Sequence, residues 1–292
     1  MGSRAARALA ALAQLPLACT LSGGEFPRVL HAWAGRTPKI DGVITPGEWD
    51  DAESFTNAGW IPQFTPVSDP RDLSLQGWVK HDGRRLYFAF RVTDDVLYGI
   101  DTPRWPPAEN SKAHELTRQG YPWFGDEMEL LINATNRWKG DEDASGDGSS
   151  WQMVCNVTKS RLGGVGTGGL LEGEPRTSLK AWTNYQRWIA QHAMDCAVAT
   201  NPSGKGYSME WAVSFDPCLE VEAGRFYSPS MGRRAMGLNI ALGDLDEPEK
   251  GASNFGHFHH EDWFAGAKDI RTHLKQWGTL WIIPQPRKPG RR

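Results

Sequence analysis

Hydrophobic and polar residues alternate along many short segments of this chain. Between positions 86 and 92, Leu86, Phe88 and Phe90 occupy every second position. A period of two places apolar side chains on one face of a β-strand and the remaining side chains on the other. The same alternation predicts strands over six further segments: 128–133, 152–158, 194–198, 209–214, 238–242 and 279–283.

Turn-forming residues separate these strands, with Gly, Pro, Asn and Asp concentrated at 81–83, 201–204 and 246–248. Seven or more short strands divided by turns are typical of a sandwich or a barrel. Each strand has one apolar face and one mixed face. We therefore predict an all-β fold, a two-sheet antiparallel β-sandwich with long loops. Weak helical patterns add one or two short helices, at 111–119 and 262–274.

The two ends of the chain differ from the predicted sandwich domain, which spans residues 25–283. Residues 1–24 have a basic start followed by a short apolar run, and this predicts a signal or leader segment. An N-terminal helix is the alternative. Residues 17–19 loosely resemble a lipoprotein cleavage site, which would make Cys19 a candidate for lipidation. The Pro-rich basic tail, 284–292, is expected to be disordered. We expect an exported protein that is secreted, periplasmic or lipid-anchored at the cell surface.

Composition excludes some classes of protein. The net charge of −3 provides no basic excess for nucleic-acid binding. A stretch of about 18 apolar residues, which a membrane-spanning helix needs, does not occur.

Once the leader is set aside, three cysteines remain, so at most one internal disulfide can form, and buried thiols are the simpler expectation. Tryptophan is abundant, with 14 residues against 6 Tyr and 11 Phe.

Several short motifs occur in an order that resembles carbohydrate-binding module family 9-like domains, a group of CBM9-like and DOMON-like β-sandwiches. An Ile-Asp-Gly opening precedes a Gly-Glu-Trp segment, and strand-like motifs follow, two of them containing a Glu. The motifs lie at 40–42, 47–49, 78–82, 86–90, 93–95, 125–133, 207–213, 237–241 and 277–280.

This resemblance implies a β-sandwich, secretion, structural calcium and sugar binding. In some members of the family the end of a sugar chain binds between two Trp rings. Asn133 stands where the family usually has Asp, and the loops of this chain are longer. The family's ligand-contacting Trp positions lie outside the motifs, so they are not transferred. Some related sandwiches hold haem through Met and His, but His81, Met128 and Met153 have no spacing that recommends this role.

Acidic and histidine-rich segments supply candidate metal ligands. Oxygen ligands at alternate positions of an acidic loop suit Ca²⁺, and the candidates are Asp141, Asp143, Ser145 and Asp147. A solvated hairpin tip is the alternative. The pairs 94–95 and 126–127 are further candidates at strand ends. His257, His259 and His260 are candidates for a transition metal, against the alternative of a polar loop. A Gly-x-Gly-x-x-Gly pattern at 164–169 lacks a following helix start and predicts a loop.

The tryptophans divide by context. Those in strand-like or motif segments are expected in the core: Trp49, Trp78, Trp211, Trp277 and Trp281. Those in loops are candidates for stacking on sugar rings, with loop anchoring as the alternative: Trp123 and Trp263 first, then Trp60, Trp105 and Trp138. Glu261 and Asp262 are candidates for binding sugar hydroxyls.

The sequence therefore predicts an exported carbohydrate-binding protein that recognises a poly- or oligosaccharide in polysaccharide catabolism, with structural calcium. The alternative is a polysaccharide-degrading hydrolase or metal-dependent oxidase on the same fold, using 257–260. A pair of carboxylates for glycoside hydrolysis can always be found among 35 acidic residues, so it is no evidence for an enzyme.

Overall fold

The structure is a computed structural model that describes residues 29–58, 60–62, 69–98, 126–137, 150–157, 166–169, 188, 190–246, 254–257 and 277–287. Within these ranges the chain forms strands β1 (Val29–Ala34), β2 (Glu53–Thr56), β3 (Ile61–Pro62), β4 (Leu73–His81), β5 (Arg85–Asp94), β6 (Glu127–Asn133), β7 (Ser150–Asn156), β8 (Gly166–Gly169), β9 (Met194–Thr200), β10 (Tyr207–Ser214), β11 (Glu220–Glu222), β12 (Arg225–Phe226), β13 (Arg234–Asp244), β14 (Asn254–His257) and β15 (Gly278–Pro286). One helical turn, α1 (Phe215–Cys218), and a 3₁₀ turn (Pro229–Met231) follow β10 and β12.

The main strands form two halves that β1 joins. One half has the order β8-β7-β6-β13-β15, and the other has the order β4-β5-β10-β9. β1 lies between β15 and β4 and is parallel to both. The other pairings described are antiparallel, and β11 and β12 form a small separate sheet. The all-β sandwich class is confirmed, as are all seven strands predicted from alternation.

The largest of three hydrophobic clusters among the described residues contains side chains from both halves. Phe88 and Trp211 from one half belong to the same cluster as Leu130, Ile240 and Leu280 from the other. These residues alternate with outward-facing positions, so the period of two in the sequence maps directly onto the core. Burying a side chain of this size contributes about 1.5–3 kcal/mol, which makes this cluster the main source of stability.

A buried carboxylate attaches the N-terminal loop to the outer face of β10. Glu210 accepts hydrogen bonds from the backbone N–H groups of Asp41 (3.1 Å) and Gly42 (2.9 Å) and from the indole Nε1 of Trp49 (3.1 Å). Gly42 has a φ of +82°, and a Cβ there would lie 2.7 Å from the backbone carbon of Val198. Three motifs of the sequence, Ile-Asp-Gly, Gly-Glu-Trp and the Glu-Trp of β10, thus meet at one structural contact.

Several smaller expectations can be compared with the structure. Cys155, Cys196 and Cys218 are buried, as expected, and form no disulfide among the described residues. The loop prediction for the Gly-rich segment is wrong at Gly166–Gly169, because these residues pair with β7 as strand β8. The two predicted helices lie outside the described residues. In the part of the chain that the structure describes, no helix has the length and apolar character needed to cross a membrane.

Candidate functional site

Carboxylates from four strand ends meet at one end of the sandwich. Asp94 is the last residue of β5 and Asp244 the last residue of β13, while Asp126 immediately precedes β6. One carboxylate oxygen of each lies within 4.8 Å of those of the other two. Asp72, before β4, belongs to an overlapping group with Asp244. We call the group Asp72, Asp94, Asp95, Asp126, Asp244 and Asp246 the acidic cluster.

The backbone fixes the carboxylates at the centre of the acidic cluster. Asp126 accepts hydrogen bonds from the N–H groups of Tyr98 (2.5 Å) and Leu245 (3.0 Å), one on each carboxylate oxygen. Asp94 accepts one from Val96 (2.9 Å) through Oδ1. Its buried Oδ2 has no hydrogen-bond partner among the described residues. These contacts hold the side chains in place and leave an oxygen of Asp94 open to a further ligand.

Burial and mutual repulsion disfavour the charged forms of the central carboxylates of the acidic cluster. Asp94, Asp126 and Asp244 are fully buried. Burial, followed by the charge of Asp244, raises the pKa of Asp94 above its usual value of 3.8. Burial, followed by the charge of Asp94, raises the pKa of Asp126 in the same direction. The same carboxylates, after burial, raise the pKa of the Tyr207 phenol. Such shifts mean that burial and the neighbouring carboxylates together disfavour the charged forms of Asp94 and Asp126.

The residues of the acidic cluster fit a hard divalent cation. Ca²⁺ takes six to eight oxygen ligands, largely carboxylates and carbonyls. The cluster offers buried carboxylate oxygens, and the orphaned Oδ2 of Asp94 is the atom whose burial a cation would explain. Asp94 and Asp72 come from the half that contains β4 and β5, whereas Asp126 and Asp244 come from the half that contains β6 and β13. A cation here would connect the two halves.

A row of buried polar side chains lies on the outer face of β7, β6 and β13. It consists of Glu127, Glu129, Asn156 and Asn239, each at most 1% exposed, and we call it the polar face. Glu127 lies opposite Asn156 in the β6–β7 register. On the β13 side Glu127 and Glu129 lie opposite Gly243 and Ala241, so they do not pack against large side chains of that strand.

Each residue of the polar face has an interaction partner that offsets its burial. A buried carboxylate is costly unless hydrogen bonds or charges compensate it, and an apolar row would be the cheaper way to cover a sheet. In the sequence, β6 is flanked by Trp123, three residues before Asp126, and by Trp138, next to Arg137. The segment that carries Trp263 lies between β14 and β15. Trp123 and Trp138 therefore precede and follow β6, one of the strands that carry the polar face, whereas the Trp263 segment joins two other strands.

Most of the predicted site residues lie outside the described residues. Of the aromatic candidates, Trp60 alone is described, and it is half-buried and packs against the main core cluster. Outside the described part lie the other candidates: Trp105, Trp123, Trp138, Trp263, Glu261, Asp262, Asp141, Asp143, Ser145, Asp147, His259 and His260. His257 is described through its backbone only, in β14, where it pairs with Ala241 and Ile61.

The strand tryptophans follow their prediction in part. Trp49, Trp211 and Trp277 are buried as expected, whereas Trp78 and Trp281 are only half-buried. His81 is buried, with Nε2 2.9 Å from the carbonyl of Ile283 and Nδ1 accepting the N–H of Gly83. Both imidazole nitrogens are thus used within the fold.

Sequence reasoning placed Asp94 and Asp126 at strand ends but missed other members of the acidic cluster and the polar face, among them Asp244, Asn239 and Glu129. Asp244 and Asn239 occupy a strand recognised for its apolar residues, and Glu129 is simply the polar partner in an alternating strand. The alternation showed that Glu129 faces away from the core, but it carried no signal that this second face is also buried. The available signal was the acidic residue at each of several strand ends.

Comparison with known proteins supports the fold. No protein-family model and no curated protein matches the chain. A carbohydrate-binding module of family 9 from Caldicellulosiruptor kristjanssonii, solved with cellotriose, is similar over 90% of this chain and 98% of its own, with a TM-score of 0.53 and 12% identity. The same module solved with glucose has a TM-score of 0.52 and 12% identity, and the match covers 90% of this chain and 99% of the module. A protein from Bacteroides uniformis ATCC 8492 that is described as carbohydrate-binding has a TM-score of 0.53 and 12% identity, and the match covers 87% of this chain and 98% of that protein.

These comparisons establish the class of fold. The chain is an all-β sandwich with the architecture of family 9 carbohydrate-binding modules, as its motifs indicated. At 12% identity the likeness concerns the path of the backbone, and the chemistry of the site must be argued from this chain's own residues.

Proposed function

We propose that this protein binds carbohydrate without changing it covalently, recognising a poly- or oligosaccharide. The observation that carries the proposal is the polar face on a fold that its solved neighbours use for sugar binding. One of these neighbours was solved with cellotriose and with glucose. Carboxylates and amides suit sugar hydroxyls because they offer several acceptors and donors in fixed directions.

Within this proposal loop tryptophans stack on the sugar ring, and the polar face supports the groups that bind hydroxyls. Glu129 and Asn239 are buried, so they act through their interaction partners rather than by touching the sugar. Trp123 and Trp263 supply flat apolar surfaces, with Trp60, Trp105 and Trp138 as further candidates. The remaining loop carboxylates, Glu261 and Asp262, add hydroxyl contacts. Such sites combine an apolar surface with a few polar groups that fix orientation.

The cofactor in this proposal is structural calcium, and the acidic cluster is its binding site. The calcium site that we propose is therefore formed by Asp94, Asp126 and Asp244, in place of the loop that contains Asp141. The residues of this chain bind the ion, connect the two halves of the sandwich and position the start of β6, which carries Glu129. The basic start and apolar run of residues 1–24 support export, to the cell exterior or the periplasm, and a role in polysaccharide breakdown fits such a location.

Affinity electrophoresis against a panel of soluble polysaccharides tests the proposal. We expect at least one polysaccharide to retard the protein, and Glu129→Gln or Asn239→Ala to weaken this retardation. Glu222→Gln is the matched control, because Glu222 is an exposed carboxylate paired with Arg225 on the small separate sheet. Size analysis of the recovered polysaccharide should show no shortening. Failure to bind any polysaccharide or oligosaccharide would refute the proposed function.

A further inference from the structure

Strands β1 and β15 carry aromatic residues on the side that faces away from the core. Leu30 and Leu280 belong to the core, whereas the alternating positions hold His31, Trp33 and Trp281, all half-buried. His31 and Trp281 are direct neighbours in the parallel register of the two strands. Together with Glu53 and Arg233, these three residues form what we call the tryptophan face.

Hydrogen bonds hold the rings of β1 in place. The indole Nε1 of Trp33 donates to Glu53 at 3.2 Å, and Nδ1 of His31 lies 3.0 Å from the same carboxylate oxygen. The rings of His31 and Trp33 are stacked, with centroids 5.7 Å apart. Because the polar edge of Trp33 is already satisfied, what its ring presents to solvent is apolar. The ring is therefore pre-organised, which reduces the entropy lost on binding.

A cation covers part of the second ring. The guanidinium carbon of Arg233 lies 3.9 Å from the centroid of the Trp281 ring, and Arg233 is itself exposed. Its donors lie over the face of the ring, at the protein surface. On the opposite side of the tryptophan face, the carboxylate of Glu53 remains 20% exposed. Hydrogen-bond donors and an acceptor thus flank the aromatic surface.

The spacing of the two tryptophans suits an extended ligand. Trp33 lies two residues beyond the register partner of Trp281 and one strand away. The usual strand spacing and rise per residue then place their Cα atoms about 8 Å apart. Two partly exposed indoles on neighbouring strands give this side of the sheet an apolar surface, and an apolar surface rimmed by polar residues often marks a binding site.

We propose that the tryptophan face is a second glycan-binding surface, on which pyranose rings of a polysaccharide chain stack against Trp33 and Trp281. It lies on β1 and β15, next to β13, the strand that carries Asn239 of the polar face. Glu53 and Arg233 bind the hydroxyls at the ring edges. The inference rests on the proposed function for its ligand class. It goes further in assigning a site on β1 and β15, and two sites on one molecule strengthen binding to a polymer through avidity.

Fluorine NMR of protein labelled with 5-fluorotryptophan tests this surface directly. Trp33→Phe and Trp281→Phe assign two of the 14 signals. The protein is titrated with the polysaccharides of the panel, in wild type and in Glu129→Gln. We expect both signals to shift or broaden with polysaccharide in both backgrounds. We also expect Trp281→Ala to raise the Kd for polymer about tenfold, with Arg233→Ala as a milder variant that leaves the ring in place.

Each outcome separates the two proposals. If polysaccharide binds while the Trp33 and Trp281 signals stay unchanged, the tryptophan face is not a glycan site and the proposed function survives. If the two signals respond in Glu129→Gln as in wild type, the second surface is supported, whatever the polar face contributes. Signals that move with protein concentration alone would mean that a second copy of this chain occupies the face, which overturns the proposal. If no glycan binds, both proposals fail.

Discussion

Removing divalent cations should destabilise this protein strongly above neutral pH. Two of the central carboxylates of the acidic cluster, 4.8 Å apart or less, repel by about 3.5 kcal/mol when both are charged, at an effective dielectric constant of about 20. Protonating one of them instead costs about 4 kcal/mol at pH 7, starting from its ordinary pKa of 3.8. A bound Ca²⁺ removes the need for either cost. At a concentration one hundred times its Kd it stabilises the fold by about 2.7 kcal/mol.

The direction of the pH dependence follows from the raised pKa values of Asp94 and Asp126. Without a cation, the folded chain keeps protons that the unfolded chain has released above about pH 4, so stability falls as pH rises beyond that point. Cation binding needs the ionised carboxylates and displaces those protons. The stabilisation by calcium should therefore be small at pH 5 and large at pH 8.

Thermal unfolding in calcium and in EDTA, at pH 5 and pH 8, measures this effect. For a domain of this size we expect calcium to raise Tm by about 5–10 °C at pH 8. Asp94→Asn should abolish most of the gain, and Glu222→Gln should leave it intact. Equal Tm values in calcium and EDTA at pH 8 would show that the acidic cluster holds no cation. An unchanged gain in Asp94→Asn would place the cation elsewhere.

Two further predictions concern the attachment of the N-terminal loop to β10. Gly42→Ala should lower the free energy of unfolding by at least about 2 kcal/mol. The new Cβ would clash with the backbone at Val198, and the φ of +82° is itself unfavourable for alanine. Gly224→Ala is the control, because Gly224 has a similar φ of +70° with open space around it, and it should lower the free energy of unfolding by about 1 kcal/mol. Urea titration of both variants measures this, and equal losses would contradict a close contact between Gly42 and Val198. Burial raises the pKa of Glu210 to about 7, so its contribution to stability should decline between about pH 4.5 and 7. In Glu210→Gln that slope should disappear from the pH profile of Tm, and its persistence would assign the slope to other groups.

The strands could be predicted because the core imposes its period on the sequence. Phe88 and Leu130 lie in alternating rows whose inward positions pack in one cluster. The parallel placement of β1 could not be read from its sequence, since six residues carry no sign of the direction of their neighbours. Gly166–Gly169 were unpredictable for a related reason, because glycine has no side chain through which burial shapes a sequence pattern.

The candidate site was predicted less well, because it depends on which strand ends meet. Asp94 and Asp244 are 150 positions apart in the chain, and the sheet order alone brings them together. Glu129 is an ordinary polar residue of an alternating strand until its burial is known. Local patterns determine which way a side chain faces, but they do not determine what covers it.

Calorimetric titration with oligosaccharides tests the central claim most directly. We predict that at least one oligosaccharide binds wild-type protein saturably and with a favourable binding enthalpy. Glu129→Gln should weaken the affinity by at least tenfold, whereas Glu222→Gln should not change it. The same sugar should be recovered intact after the titration. Absence of binding across the panel, or equal affinity in Glu129→Gln and wild type, would contradict the account.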